Sequence, residues 1–185
     1  MAEVSLTPTS YLVLGLVGHL GGATSYELKA SVGKSIGYFW TFPHSQLYAE
    51  PARLVSLGLL SEDTETTGRR RRTYSLTPSG RVALDEWLAE PTETATEIRD
   101  LALLKLFFGS QSEPKSVRSL AVAQQAGHRS MLEQYEHIAK AMAERPGVDA
   151  HHRRTLDMGL RFERAAISFW QQVEADADDL AAGSD

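Results

Sequence analysis

Cysteine is absent from the 185-residue chain. That excludes disulfides, thiol nucleophiles and thiolate metal sites, and it fits a reducing cytosol. Long apolar runs are absent too. The longest near the start, Tyr11 to Leu20, falls well short of the ~18 residues of a membrane helix and contains His19. Glu3 stands where a signal peptide would carry Lys or Arg, so the expectation is a cytoplasmic protein. Basic residues are scarce: 19 Lys and Arg face 24 Asp and Glu, for a net charge of −5. Apolar residues at 42% are nevertheless enough for a packed core, which sets aside a disordered or fibrous chain.

Catalytic signatures are also missing. The chain has no Gly-rich phosphate loop and no nucleophile elbow. Six histidines invite a metal reading, but His151 and His152 are adjacent and diverge on a helix, and His128 and His137 do not share a face. No carboxylate–histidine spacing resembles a zinc site. Asp178-Asp179 read as a solvated tail. The expectation is no enzyme, no cofactor and no metal.

What is present is a clustering of charge. Residues 1–90 hold 8 Lys and Arg, and four of these are consecutive, Arg69 to Arg72. Around them the chain is punctuated. Leu6-Thr7-Pro8 and Leu76-Thr77-Pro78 each place Thr at a helix N-cap and Pro at the first helical position. The first opens a helix over about 8–20, nearly encircled by Tyr11, Leu12, Leu14, Leu16 and Val17 and ended by Gly21-Gly22, with Gly15 and Gly18 for close approach. Ser25 caps a second helix over 25–33, with Tyr26, Leu28 and Val32 apolar. An aromatic connector, Tyr38 to Pro43, leads to a third helix over about 44–57, stopped by Gly58. Leu59 to Thr66 and Arg71 to Leu76 read as a hairpin turning near Thr67-Gly68. Arg72, Tyr74 and Leu76 share one of its faces. A fourth helix follows over 78–90. Three helices, two strands and a helix make a helix-turn-helix with a wing.

The remainder is all helical in pattern. Residues 92–96 are a polar linker; Ile98 to Phe108 is apolar on nearly every face and needs cover on both sides. Val117, Ala121, Gln124, His128, Met131, Tyr135, Ile138 and Met142 alternate at steps of four and three, a heptad seam. A last helix over 151–180 carries two stripes. Leu156, Gly159, Glu163, Ala166, Trp170, Val173 and Ala177 form one; Met158, Phe162, Ala165 and Phe169 form the other. Two stripes mean two packing partners, and a second copy of the chain is the economical one. The division expected is 1–91 for the winged domain, 92–96 for the linker, 97–180 for a helical dimerisation domain and 181–185 for a disordered tail.

The stretches "SIGYFWTFPHSQLYAEPARLVSLGLL", "GRRRRTYSLTPSGRVALDEWL" and "IRDLALLKLFFG" resemble the PadR family of bacterial transcription regulators. The resemblance runs from about residue 6 to 180 and is most specific at Gln46-Leu47-Tyr48, Arg53-Leu54, Gly58-Leu59 and Tyr74-Ser75-Leu76-Thr77 with Gly80. It implies a mostly α fold: a winged helix-turn-helix domain followed by an all-α domain that makes a homodimer. One departure is Pro51, at a position that the family usually fills with Leu, with Ala49 where Pro often follows the Tyr. A proline inside a helix costs about 3 kcal/mol, so the third helix is expected to kink near residue 47 or to become regular only near Glu50.

Arg69, Arg70 and Arg71 are expected on phosphates from the wing. A solvated hairpin with Arg71 or Arg72 paired to Glu62, Asp63 or Glu65 is the competing reading, but surface pairs contribute only ~0–1 kcal/mol. His44, Ser45, Gln46 and Tyr48 open the recognition helix, and Gln46 is suited to adenine. Lys29 and Lys34 are phosphate anchors. Val117, Gln124, His128, Met131, Tyr135, Ile138, Met158, Phe162 and Phe169 are assigned to the dimer interface, with His128 as a buried polar residue fixing register. Phe107, Phe108 and Trp170 are candidates for a pocket taking a small hydrophobic or aromatic effector, against ordinary helix packing. The reading is a homodimeric repressor on an inverted-repeat operator; the rival, favoured by the acidic total, is a winged-helix protein–protein module.

Overall fold

The computed structural model describes residues 5–33, 36–40, 45–65, 70–145, 147 and 149–182. The chain divides into two compact units, Met1–Ala95 and Thr96–Asp185.

In the first unit, α1 (Pro8–Leu20) starts at a reciprocal cap: Thr7 Oγ1 accepts from the Ser10 backbone N–H, and Ser10 Oγ accepts from that of Thr7. Val13, Leu14, Leu16 and Val17 are buried at the centre of the core. Of the two helix glycines, only Gly18 is a close approach: a Cβ there would lie 3.3 Å from Leu76, whereas one on Gly15 would meet nothing. Gly21 and Gly22 have φ of 70° and 127°, and both N–H groups return to the Val17 carbonyl.

This turn aims the chain at the wing. Ala23 and Tyr74 exchange two backbone hydrogen bonds, of 3.0 and 2.9 Å. The cap of α2 (Ser25–Gly33) is Thr24 rather than Ser25. Thr24 Oγ1 accepts from the Glu27 N–H, and Glu27 Oε2 accepts from both the N–H and the hydroxyl of Thr24, each at 2.8 Å. The Thr-x-x-Glu spacing specifies this box; a cap at Ser25 would have no acid three residues on. Leu28 and Val32 are buried, but Tyr26 is 75% exposed and is not part of the apolar side.

A single 3-10 turn, Ile36–Tyr38, precedes α3 (Gln46–Ser56). The helix is continuous from Gln46 and passes through Pro51, which is buried. The regular part therefore does not wait for Glu50. The proline deletes one bond, to the Leu47 carbonyl, and its ring fills core space beside Leu47 and Leu54. β1 (Leu60–Thr64) and β2 (Arg72–Leu76) pair antiparallel, Leu60 with Leu76 through Thr64 with Arg72. The strands are shorter than expected. Leu59 is held outside β1 because its N–H closes the end of α3 on Leu54. Thr66 to Arg69, with the expected turn, lie outside the described residues. α4 (Pro78–Ala89) starts at the Thr77 cap, whose hydroxyl accepts from the Gly80 N–H at 3.0 Å.

In the second unit, α5 (Leu101–Phe107) is shorter than the expected 98–108 because Asp100 caps it, accepting from Ala102 and Leu103. α6 (Pro114–Ala143) and α7 (Ala150–Ala175) form an antiparallel hairpin, Gln125 beside Trp170 and Tyr135 beside Gly159. The expected long last helix breaks at Asp176, which accepts from the Gln172 side chain, and resumes as α8 (Ala177–Ala182).

Val117, Ala121 and Tyr135 of the heptad seam are buried and Gln124, His128, Met131 and Ile138 half-buried; Val117, Ala121, His128 and Tyr135 pack on α7 of the same chain. The first α7 stripe covers this seam, with Glu163, Trp170, Val173 and Ala177 buried. The second, Met158, Phe162, Ala165 and Phe169, is exposed. So are Leu101, Leu103, Leu104, Phe107 and Phe108 around α5. Among the described residues no helix is long and apolar enough to cross a membrane.

Gly80 is the tightest point of the first unit. A Cβ there would sit 2.0 Å from the Leu59 carbonyl oxygen, which is itself held by the N–H and hydroxyl of Thr77. Overpacking costs about 1–3 kcal/mol, or more where backbone must move. Gly80→Ala should lower stability by about 3 kcal/mol, read by urea denaturation; a loss under about 1 kcal/mol would mean that α4 can slide off the wing.

Candidate nucleic-acid interface

The solvent side of α3 is built by exclusion. Leu47, Pro51 and Leu54 face the core, which turns Ser45, Gln46, Tyr48, Ala49 and Ala52 outward. Ser45 makes no side-chain cap hydrogen bond, so its hydroxyl is not committed to the helix. Gln46 is exposed, and its Oε1 accepts from the Thr9 hydroxyl of α1 at 2.9 Å. That contact restrains the amide and leaves Nε2 as a donor. Tyr48 is 51% exposed, which settles its position on the outer face. Lys29 is exposed on α2. Lys34, His44 and Arg69 fall outside the described residues.

α3 is anchored to α1 by a polar cluster that the sequence reading missed. Arg53 donates to Glu50 through Nε (3.0 Å) and Nη2 (2.7 Å), and Nη2 also reaches Ser10 Oγ at 2.9 Å. Ser10 is fully buried and the Glu50 side chain is 13% exposed. Burial opposes ionisation of Glu50, but hydrogen bonds from Arg53 and Ser10, with the charge of Arg53, outweigh it and leave the pKa lowered. The Glu50 hydrogen bond in turn raises the pKa of Arg53 against its own desolvation. The i, i+3 spacing of Glu50 and Arg53 was the available signal.

The wing arginines differ from one another. Arg70 is exposed and takes φ 50°, an unusual conformation for a side-chain-bearing residue at the entry to β2. Arg72 is exposed, with Nε 3.6 Å from Glu62 on β1, one of the pairings weighed from sequence. The Arg71 carbonyl accepts from the Glu65 N–H at 3.0 Å, but its guanidinium turns to a different acid. Its Nη2 lies 2.5 Å from Glu27 Oε1 on α2. Thr24's backbone N–H and hydroxyl, then Arg71, lower the pKa of Glu27. Thr24, Ser25, Tyr26, Glu65, Arg71, Arg72 and Tyr74 line an open cleft of about 650 Å³ between α2 and the wing.

In the second unit, a cleft of about 450 Å³ is lined by Phe107, Phe169, Val117, Val173 and Leu180 among others. Of the three pocket candidates only Phe107 lines it. Trp170 is 1% exposed and packs in the α6–α7 core, and Phe108 lies edge-on to Phe107 outside the lining. Among the described residues no three His, Asp or Glu side chains group as a metal site.

Residues 13–86 match the family described as "Transcriptional regulator PadR-like family", and residues 98–177 match "Virulence activator alpha C-term". Residues 13–86 therefore carry a PadR-like transcriptional-regulator domain. Proteins with this domain are regulators, not enzymes. The negative transcriptional regulator PadR of Bacillus subtilis is 30% identical over 100 residues, 53% of this chain and 54% of that protein. The matched part thus spans about half the length of that relative. The structure of Bacillus subtilis PadR in complex with operator DNA superposes with a TM-score of 0.84, at 24% identity, over 92% of this chain and 99% of that one. The Vibrio cholerae virulence activator AphA superposes with a TM-score of 0.71, at 28% identity, over 93% and 99%. The winged helix with an appended helical region is therefore the fold of this PadR-like chain.

The Glu50 cluster makes acid sensitivity testable. Because the folded pKa lies below the ordinary value near 4.5, the contribution is complete above that value and is lost as pH falls through the lower folded one. Thermal midpoints between neutral and strongly acidic pH should fall less steeply for Glu50→Gln than for the wild-type chain. Parallel curves would remove Glu50 as a source of acid lability.

Proposed function

We propose that this PadR-like chain is a DNA-binding repressor that acts in the cytoplasm as a homodimer on an inverted-repeat operator. The observation that carries the reading is the outward N-terminal turn of α3, where Gln46 is restrained by Thr9 on a winged-helix scaffold. A recognition helix presents its first residues to base edges in the major groove, and Gln can accept from N6 and donate to N7 of adenine. Ser45 and Tyr48 supply hydroxyls for phosphates; Lys29 and Arg70 supply charge, with Lys34 and Arg69 in the same role by sequence and His44 beside Ser45 before the recognition helix. Repression by promoter occupancy requires no activation surface.

The partner in the dimer is a second copy, seated on the exposed stripe Met158, Phe162, Ala165 and Phe169 and on the outer face of α5. Val117, Gln124, His128, Met131, Tyr135 and Ile138 hold the α6–α7 hairpin on which that surface is displayed. Two linked winged domains gain by effective concentration and read half-sites about one helical turn apart. A small aromatic or hydrophobic effector taken up in the cleft at Phe107 and Phe169 would act on the pairing surface, since both residues belong to it.

Gln46→Ala should relax base preference at one operator position, weakening binding there by about 1–3 kcal/mol while changing affinity for random duplex far less. Competition binding on operator variants reads this; a uniform loss on all sequences would move Gln46 to the phosphates. Met158→Glu combined with Phe162→Glu should leave the α6–α7 hairpin folded and convert the chain from dimer to monomer by sedimentation. A folded double variant of unchanged mass would place the dimer contact elsewhere.

A further inference from the structure

The wing and α2 together hold an arrangement that DNA binding alone does not call for. A surface meant for phosphates here carries a carboxylate, and that carboxylate is immobilised. Glu27 Oε2 is fixed by the Thr24 N–H and hydroxyl, and Oε1 meets Arg71 Nη2 at 2.5 Å. Neither group is buried: the side chains are 45% and 52% exposed. Both can therefore feel a duplex lying along the wing. Arg71 itself lines the cleft between α2 and the wing, together with Arg72 and Glu65. In a chain of net charge −5, neutralising a wing arginine removes charge from the surface that most needs it.

We infer that Glu27 withholds Arg71 from DNA phosphates and so limits the sequence-independent affinity of the chain, with Arg71 contributing little to binding on arbitrary sequence. This rests on the DNA-binding reading above and deepens it. The electrostatic, sequence-independent term scales with the number of phosphates neutralised, each adding about 0.9 to the log–log salt slope. It strengthens all sequences by the same factor, so a carboxylate that suppresses it lowers the hold on arbitrary duplex and leaves discrimination to the base contacts. Glu27 is suited to the role because its position does not depend on Arg71: the capping box with Thr24 holds it whether or not the arginine is present. Its lowered pKa, owed first to the Thr24 backbone N–H, keeps it charged across the neutral range. A wing held loosely by solvent alone would offer Arg71 to any phosphate; here an acid on another element competes for it.

The test uses the full-length chain, a random-sequence duplex, and the genomic fragment that the wild-type protein selects. Glu27→Gln preserves the capping box, since Gln also serves at that position, and removes the charge. Binding to the random duplex should tighten by up to about eightfold at ~0.1 M salt, and the slope should steepen by about 0.9, the value for one added phosphate. The selected fragment should gain by the same factor, because the added contact is to a phosphate and not to a base. Adding Arg71→Ala to Glu27→Gln should abolish the gain. A wild-type slope with no salt dependence on either duplex overturns the DNA-binding reading and this inference with it. Salt-dependent wild-type binding with an unchanged or weakened Glu27→Gln variant overturns the inference alone. A gain that survives Arg71→Ala also overturns it, because the released charge would not be that of Arg71.

Discussion

The backbone pairing of Ala23 with Tyr74 is the constraint on which the winged unit depends. Two hydrogen bonds tie the entry to α2 onto the second wing strand. The pairing exists because Gly21 and Gly22 take positive φ and reverse the chain directly after α1. A Cβ on Gly22 would find room beside Ser75 and Tyr74, but a side chain at a φ of 127° would strain the backbone. Once the bridge is made, the Tyr74 ring is buried in the core with Leu14, Leu28 and Leu60, and the first turn of α2 lies beside the wing. Full burial of a leucine contributes about 1.5–3 kcal/mol, and several of them are collected around this junction. The same junction brings Glu27 within reach of Arg71.

The acidic total of the chain becomes intelligible from the partners of its carboxylates. In the winged unit Glu27, Glu50 and Glu62 each face an arginine. Only the Glu50–Arg53 pair is substantially removed from water, and there it works with Ser10 to fix α3 on α1. The two wing pairs are exposed and add little to stability. Their effect is on the field that the surface presents, which governs encounter and discrimination more than tightness.

In the second unit, polar pairs set the register of the α6–α7 hairpin. His128 Nδ1 lies 2.6 Å from Glu163, and buried Gln125 donates to the Trp170 carbonyl and to Glu174 while accepting from Arg129. A slide by one helical turn would leave these groups buried without partners, at a cost of about 1–3 kcal/mol each. Apolar contacts alone would tolerate such a slide better. The stripe at Met158 and Phe162 stands on the far side of α7, so its pairing and the register of the hairpin are separate matters.

The local features of this protein were determined by sequence alone. Thr-Pro caps opened α1 and α4, Gly21 and Gly58 ended helices, and alternation marked the second wing strand, because each of these effects acts between near neighbours. The division of α7 into two stripes was legible for the same reason. The tertiary structure decided which surfaces those elements face. A heptad seam has the same spacing whether its partner is another chain or α7, so Val117 to Ile138 could not be assigned by period. The choice of Gln125 over Gln124 as the buried amide rests on a rotation of one residue about α6. The partner of Arg71 is 44 residues away, and nothing in its own neighbourhood distinguishes Glu27 from the nearer Glu62, Asp63 and Glu65. That choice was made by the Gly21-Gly22 turn and the Ala23 bridge, which fix distances in space that no spacing along the chain records.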